Sequence, residues 1–247
     1  MFSPVRTLFL ALLLAFAPIQ ARACEIALVI ALDVSRSVDK YEYNLMLNGI
    51  GQAFLDPDVT DLISWMPGGM KITVTQWGGA GQQRQPIEWR TLSNRQSVTR
   101  FVRELVDIDR GFWMADTSVS EALLHAGAMF QRTQNKCRRQ VIDVSGDGVS
   151  NAGPEVHPIA DFVAGQGVTI NGLVVAGARP DPVDYYQTKV IRGPLAFLEV
   201  TESYDDYARA MKRKLLRELA PNLAFLKAGS RQLGRNKMAS ASLSGSK

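Results

Sequence analysis

Apolar and polar positions along this chain alternate between two rhythms. Residues 26–33 form an unbroken apolar run that ends in polar residues, the pattern of a strand buried on both faces. Helical spacing follows over residues 38–55, with Tyr41, Leu45 and Gly49 recurring, and stops before Asp56-Pro57. Residues 71–77 alternate Ile72, Val74 and Gln76 with Thr73, Thr75 and Trp77, which predicts a second strand closed by Gly78-Gly79. Residues 86–91 predict a short third strand, where Pro86 suits an edge or a strand start. Ser93-Asn94-Arg95-Gln96 reads as a capping box opening a helix with Val98, Phe101, Val102 and Leu105 on one face. A second box, Ser118-Val119-Ser120-Glu121, opens a helix with Val119, Ala122, Leu123 and Ala126 on one side. Thr117 therefore stands immediately before a helix.

The second half repeats the alternation. Residues 139–145 predict a fourth strand, followed by Gly146-Asp147-Gly148, and residues 154–164 a helix with proline in its first turn. Residues 168–175 predict a fifth strand, 184–191 a short helix and 195–200 a sixth strand. Residues 203–219 predict a last amphipathic helix with Tyr207, Met211, Leu215 and Leu219 along one stripe. Strands alternating with helices indicate one α/β domain, residues 24–220, with a mostly parallel sheet and helices on both faces. No internal repeat or linker divides it.

The ends of the chain read differently. Arg6, an apolar stretch over residues 8–16, Pro18 and Ala21-Arg22-Ala23 follow the order of a secretory signal peptide cleaved after Ala23. The run is shorter than the roughly 20 apolar residues a membrane span needs. Cys24 would be the first mature residue, which raises lipidation as an alternative, but Arg22 stands where such signals want a small residue. The expected product is periplasmic or secreted, with no transmembrane segment. Residues 221–247 form a basic, Ser/Ala-rich tail whose composition predicts disorder. The formal charge of +4 comes from these ends: setting aside two arginines in the signal and five cations in the tail leaves −3. A nucleic-acid partner is not expected on that account. In an oxidising compartment the two cysteines, Cys24 and Cys137, suggest a disulfide.

Candidate chemistry begins at Asp33-Val34-Ser35-Arg36-Ser37, a carboxylate and two hydroxyls spaced two apart at the end of the first strand. In such sheets ligands bind beyond the carboxyl ends of the strands, where the strand order reverses. If strands one and four are neighbours there, Asp33 and Asp147 overhang one crevice, and Thr117 can add a hydroxyl from a separate loop. Each piece has a plain structural alternative: Asp33, Ser35 and Ser37 as a helix cap, Thr117 as a pre-helical residue, Asp147-Gly148 as a turn. Asp143, inside the apolar fourth strand, needs a partner, with Arg138, Arg139 or a helix N-terminus as candidates. Asp116 is an outer ligand or a loop acid. His125 reads as packed and His157 as a surface residue, so zinc is not expected. Of the four tryptophans, Trp113 is the candidate for a partner surface.

Taken together, Asp33-x-Ser35-x-Ser37, Thr117 before a helix and Asp147-Gly148 after an apolar strand resemble the von Willebrand factor type A domain and its metal-ion-dependent adhesion site. The likeness covers about residues 25–219, and within that family the chain most resembles bacterial exported proteins grouped as a conserved domain of unknown function. The resemblance implies a doubly wound, three-layer α/β/α, Rossmann-like sheet in the order 3-2-1-4-5-6 with strand 3 antiparallel. It also implies a divalent cation, Mg²⁺ or Mn²⁺, held by Ser35, Ser37 and Thr117 directly and by Asp33 and Asp147 directly or through water. Mg²⁺ asks for near-octahedral oxygen ligation and keeps waters readily. Two carboxylates balance its charge, so a protein partner with an exposed Asp or Glu can supply a further oxygen. The implied function is binding, with no catalytic residue. The alternatives are a hydrolase using the same site to activate water and a scaffold that has lost its metal. Against the hydrolase stand the lack of an evident general base, of a phosphate-binding Gly-x-x-x-x-Gly-Lys loop and of a Gly-x-Ser-x-Gly elbow.

With strands one and four adjacent, the cysteines acquire a geometry. Cys24 lies nine residues before Asp33 and Cys137 ten before Asp147, so both begin their strands at the opposite edge. Adjacent strands run about 4.8 Å apart, inside the roughly 4.4–6.8 Å Cα separation of a disulfide. A Cys24–Cys137 bridge is expected.

Overall fold

A computed structural model of the chain describes residues 24–131 and 137–219. The expected signal peptide, its cleavage after Ala23 and the expected tail lie outside the described residues. Six strands, β1 (Ile26–Asp33), β2 (Met70–Trp77), β3 (Gln83–Leu92), β4 (Arg139–Gly146), β5 (Val168–Val175) and β6 (Leu198–Thr201), form one sheet in the order β3-β2-β1-β4-β5-β6. Every neighbouring pair is parallel except β2 and β3.

Alternation along β1 explains the three layers. Ile26, Leu28, Ile30 and Leu32 point into one core, shared with residues of α1 (Lys40–Leu55), α2 (Pro57–Trp65), α3 (Arg95–Val106) and α7 (Tyr207–Leu219). Ala27, Val29 and Ala31 point into the other, against α4 (Val119–Gln131) and α5 (Val156–Gly165). All eight residues of β1 are buried; each large aliphatic side chain among them contributes about 1.5–3 kcal/mol through removal from water. Small Ala27 and Ala31 on the second face let α4 lie close.

Several boundaries depart from the periodic reading. The break at Asp56-Pro57 is a corner between two helices: Asp56 accepts a bond from the Asp58 N–H at 3.1 Å and Pro57 opens α2, an element the hydrophobic spacing alone did not predict. The third strand begins three residues earlier than expected, at Gln83, and register shifts against β2 absorb the irregularity. The cap of α3 is one residue later than read, with Asn94 and Ser97 bonding each other's backbone N–H. At α4, Glu121 turns away from the expected box to accept from the Gly81 N–H at 2.6 Å. The predicted helix at 184–191 is a short turn, α6 (Pro182–Tyr185), continued as a π-helix over Tyr186–Val190.

Asp143 finds neither Arg138 nor Arg139. It forms an ion pair with the fully buried Lys214 of α7, which also reaches Glu218 at 3.5 Å. Arg139 instead donates to the Glu218 carbonyl at 2.7 Å, and Arg138 pairs with Glu25. At the start of β1 and β4, Cys24 and Cys137 form a disulfide with a Cα–Cα separation of 4.6 Å. Among the described residues, no helix is long and apolar enough to cross a membrane.

Candidate metal centre

β1 feeds α1 on one face of the sheet and β4 feeds α5 on the other, so the gap between their carboxyl ends is where the winding reverses. Asp33 ends β1 and is fully buried. Its Oδ1 accepts the Ser35 N–H at 2.7 Å, turning the chain so that the two serine hydroxyls stand 3.2 Å apart. The exposed Ser37 hydroxyl donates to Asp147 Oδ1 at 2.6 Å, a contact across 110 residues of sequence. Asp33, Ser35, Ser37 and Asp147 thus form one connected group.

That group is not the cap of α1. Asp39 and Glu42 cap it in a reciprocal box, each carboxylate taking the other's backbone N–H at 2.8 Å. The serines are left free for another use.

Thr117 joins the group through the backbone. The Arg36 N–H donates to the Ala115 carbonyl at 2.8 Å, tying the loop after β1 to the loop that carries Thr117. The Thr117 N–H donates to Asn151 Oδ1 at 2.8 Å, and its carbonyl accepts from the Asn151 N–H at 2.9 Å and the Ser150 hydroxyl at 3.1 Å, which ties it to the loop after β4. The Ser118 N–H reaches the Gly78 carbonyl at 2.9 Å; a Cβ on Gly78 would stand 2.6 Å from that of Ala115, so this approach requires glycine. Loops from three strands are therefore stitched around one point.

Sequence reasoning missed several supports. Arg110 donates to the Val34 and Ser35 carbonyls at 3.0 and 2.7 Å. Its own loop is held by the buried Gln76, which bonds the Asp109 carbonyl at 2.9 Å and the Gly111 N–H at 2.7 Å. Ser150 and Asn151, which carry no motif in the sequence, hold the Thr117 backbone. Gly146, read only as the end of the fourth strand, borders Asp33: a Cβ there would stand 3.0 Å from Asp33 Oδ2 and 2.5 Å from the Tyr186 hydroxyl.

The electrostatics are unusual for a carboxylate. Burial, and then the nearby Asp147, push Asp33 up to about 7, against the opposing effect of the Ser35 hydrogen bonds and of Arg110. Asp33 Oδ2 is buried with no hydrogen-bond partner. Burial, with Asp33 and Asp147 adding to it, likewise holds the Tyr186 phenol well above its ordinary range, so it stays protonated. Among the described residues neither Asp33 nor Asp147 forms an ion pair.

These features test whether a divalent cation fits. Two carboxylates and neighbouring hydroxyls are hard oxygen donors of the kind Mg²⁺, Mn²⁺ and Ca²⁺ take. No group of three or more His, Cys, Asp or Glu side chains is suited to a metal among the described residues, so a cation here would need the hydroxyls as well. A buried carboxylate oxygen without a partner is the remaining mark of such a site. The donor set fits.

Two surfaces flank this point. A cleft of about 390 Å³ opens beside Ser37 and Asp147, with Asp39, Glu42, Glu202 and Asp205 on its walls. In the loop before Thr117, Trp113 and Met114 are 60% and 73% exposed, and the Arg110 guanidinium lies 4.5 Å over the Trp113 ring.

The profile of the family described as "Protein of unknown function (DUF1194)" matches residues 23–223. No curated protein matches the chain. Among solved structures it is similar to proximal thread matrix protein 1 from the mussel byssus, with 16% identity over 79% of this chain and 48% of that one and a TM-score of 0.61. Another structure of that mussel protein, described with a zinc-occupied MIDAS motif, gives a TM-score of 0.57 at 15% identity, over 81% of this chain and 47% of that one. A von Willebrand factor type A protein from Catenulispora acidiphila gives 0.56 at 15% identity, over 77% and 42%. The pilus adhesin SpaC from Lactobacillus rhamnosus GG gives 0.58 at 10% identity, over 79% and 30%. The chain spans less than half the length of each, and at these identities the likeness establishes the von Willebrand type A α/β fold.

Proposed function

The chain belongs to the DUF1194 family of proteins of unknown function, and from its site we propose that it is an exported binding domain. In this reading it recognises a protein partner through a divalent cation at the carboxyl ends of β1 and β4. Ser35, Ser37 and Thr117 hold the cation with their hydroxyls, and Asp33 and Asp147 hold it directly or through water. Bound there, Mg²⁺ or Mn²⁺ supplies a positive centre for a carboxylate, so the partner presents an exposed Asp or Glu. The observation that carries the proposal is Asp33: fully buried, one oxygen without a partner, joined through Ser35 and Ser37 to a second carboxylate. A mussel protein of the same fold described with a zinc-occupied motif supports cation binding in general, and the adhesin of the same fold supports a role in adhesion.

Exposed Trp113 and Met114 on one side and the acidic cleft on the other give the partner's flanking residues something to read. Residues 1–23 and the disulfide support export, since disulfides persist in oxidising compartments.

Calorimetric titration of Mg²⁺ and Mn²⁺ into wild type and Asp33→Ala tests the proposal. Binding that the variant loses is expected; absence of binding in wild type would overturn it. Partner capture from an envelope extract should be released by EDTA. Turnover of phosphate esters that disappears in Asp33→Ala would replace binding by hydrolysis.

A further inference from the structure

Three observations converge on one side chain that the cation reading does not use. Tyr186 is fully buried and its hydroxyl has no hydrogen-bond partner. It opens a π-helix, Tyr186–Val190, a rare geometry concentrated at functional sites. And its hydroxyl shares a small space with Asp33: both the phenol oxygen and Asp33 Oδ2 lie within 3.0 Å of the point where a Cβ on Gly146 would stand. The two oxygens are therefore at most 5.5 Å apart, the sum of 2.5 and 3.0 Å to that point. One is a donor and the other an acceptor, and no side chain at residue 146 separates them.

A buried phenol and a buried carboxylate oxygen that both lack partners are each costly, by about 1–3 kcal/mol. That cost is removed if a single water bridges them, since two ordinary hydrogen bonds of about 2.8 Å span such a gap. Tyr186, the first residue of that π-helix, packs against β4 and β5: a Cβ on Gly146 would stand 2.5 Å from its hydroxyl and one on Gly172 3.4 Å from its ring.

We propose that Tyr186 is the positioning residue of the site: its hydroxyl holds Asp33 Oδ2 across one shared water and so fixes the carboxylate before a cation arrives. This rests on the cation-binding reading. Groups that orient a ligating side chain typically change metal affinity by about 10–100-fold when removed. The glycine at 146 is then required for the space the bridge occupies, beyond any role in the turn.

The test measures Mn²⁺ affinity of the full chain by electron paramagnetic resonance, for wild type, Tyr186→Phe and Gly146→Ala, with melting of each metal-free protein alongside. Tyr186→Phe keeps the ring and deletes only the hydroxyl. Its affinity should fall about 10–100-fold while its metal-free melting temperature holds or rises. Gly146→Ala, with the tyrosine intact but its hydroxyl crowded by a methyl, should lose affinity as well. Wild-type affinity in Tyr186→Phe would overturn the assignment, as would a loss matched by an equal fall in metal-free stability. If wild type itself binds no Mn²⁺, the cation-binding reading fails first, and that outcome is distinct from the other two.

Discussion

Asp33 and Asp143 lie on adjacent strands of one sheet, are 0% and 3% exposed, and each has one carboxylate oxygen without a hydrogen bond. What separates them is charge. Asp143, set between Ile30 of β1 and Asn171 of β5, faces α7 and meets the ammonium of Lys214. Glu218, one turn further along α7, takes the same ammonium at 3.5 Å and the Asn171 amide at 2.8 Å. Asp33, at the strand end, meets a second carboxylate, two hydroxyls and the indirect influence of Arg110. A buried carboxylate whose counter-ion is built into the fold belongs to the scaffold. One surrounded by neutral donors and a like charge is left without a counter-ion in the fold, the property the proposed site rests on.

Breaking the closed cluster should have the largest effect. Lys214→Met leaves Asp143 and Glu218 buried without their cation and should cost about 3–5 kcal/mol in chemical denaturation. Adding Asp143→Asn and Glu218→Gln to it should restore most of that loss, because no charge then remains to be compensated. A loss in Lys214→Met no larger than an exposed ion pair gives would remove the contrast.

The open cluster should respond with the opposite sign. In metal-free protein at pH 8, Asp33→Asn removes an uncompensated charge and should hold or raise stability, by on the order of 1–3 kcal/mol. The pH dependence follows. The Asp33 carboxyl titrates at about 7 in the folded chain against a reference of 3.8, so between these values the folded state keeps a proton that the unfolded chain has released. This contribution is fully present below the unfolded value and is lost as pH rises through the folded one. Melting in EDTA should therefore fall from pH 5 to pH 8 in wild type and less in Asp33→Asn; parallel profiles would show that Asp33 is not the group responsible. Mg²⁺ at a hundred times its Kd should restore about 2.7 kcal/mol at pH 8, in wild type only.

The smallest effect sharpens the boundary between the clusters. Arg110→Met removes the donor to the Val34 and Ser35 carbonyls and should cost about 1 kcal/mol of stability. It should also weaken cation binding by loosening the loop that carries both serines. A variant with unchanged affinity would mean that the loop is held well enough by its other bonds, Arg36 to Ala115 and Val34 to Trp77.

Much of the frame was legible from local pattern because its causes are local. The continuous apolar run of β1 and the expected strand at residues 168–175 coincide with observed strands, since strands packed on both faces are dense in apolar residues even where Thr169 and Asn171 interrupt the second. The capping boxes were less well placed. Ser93, Ser118 and Glu121 satisfy the motif in sequence, but Asn94 and Ser97 close the cap of α3 and Glu121 is drawn to Gly81. Several residues within one turn can satisfy the same N–H groups, and packing chooses among them. For the same reason Asp33, Ser35 and Ser37 could be read as a cap until Asp39 and Glu42 were seen in that role.

By itself, then, the sequence determined the alternation of elements, the residue types at the end of β1 and the spacing that lets Cys24 and Cys137 begin neighbouring strands. The tertiary structure alone decided the partners. Lys214 lies 71 residues from Asp143, Ser37 lies 110 from Asp147, and the Tyr186 hydroxyl and Asp33 Oδ2 both lie within 3.0 Å of one point beside Gly146. Which charge is cancelled and which is left open depends on what the fold brings within a few ångströms. Coulomb and desolvation energies are set by that distance and burial, and local periodicity carries neither.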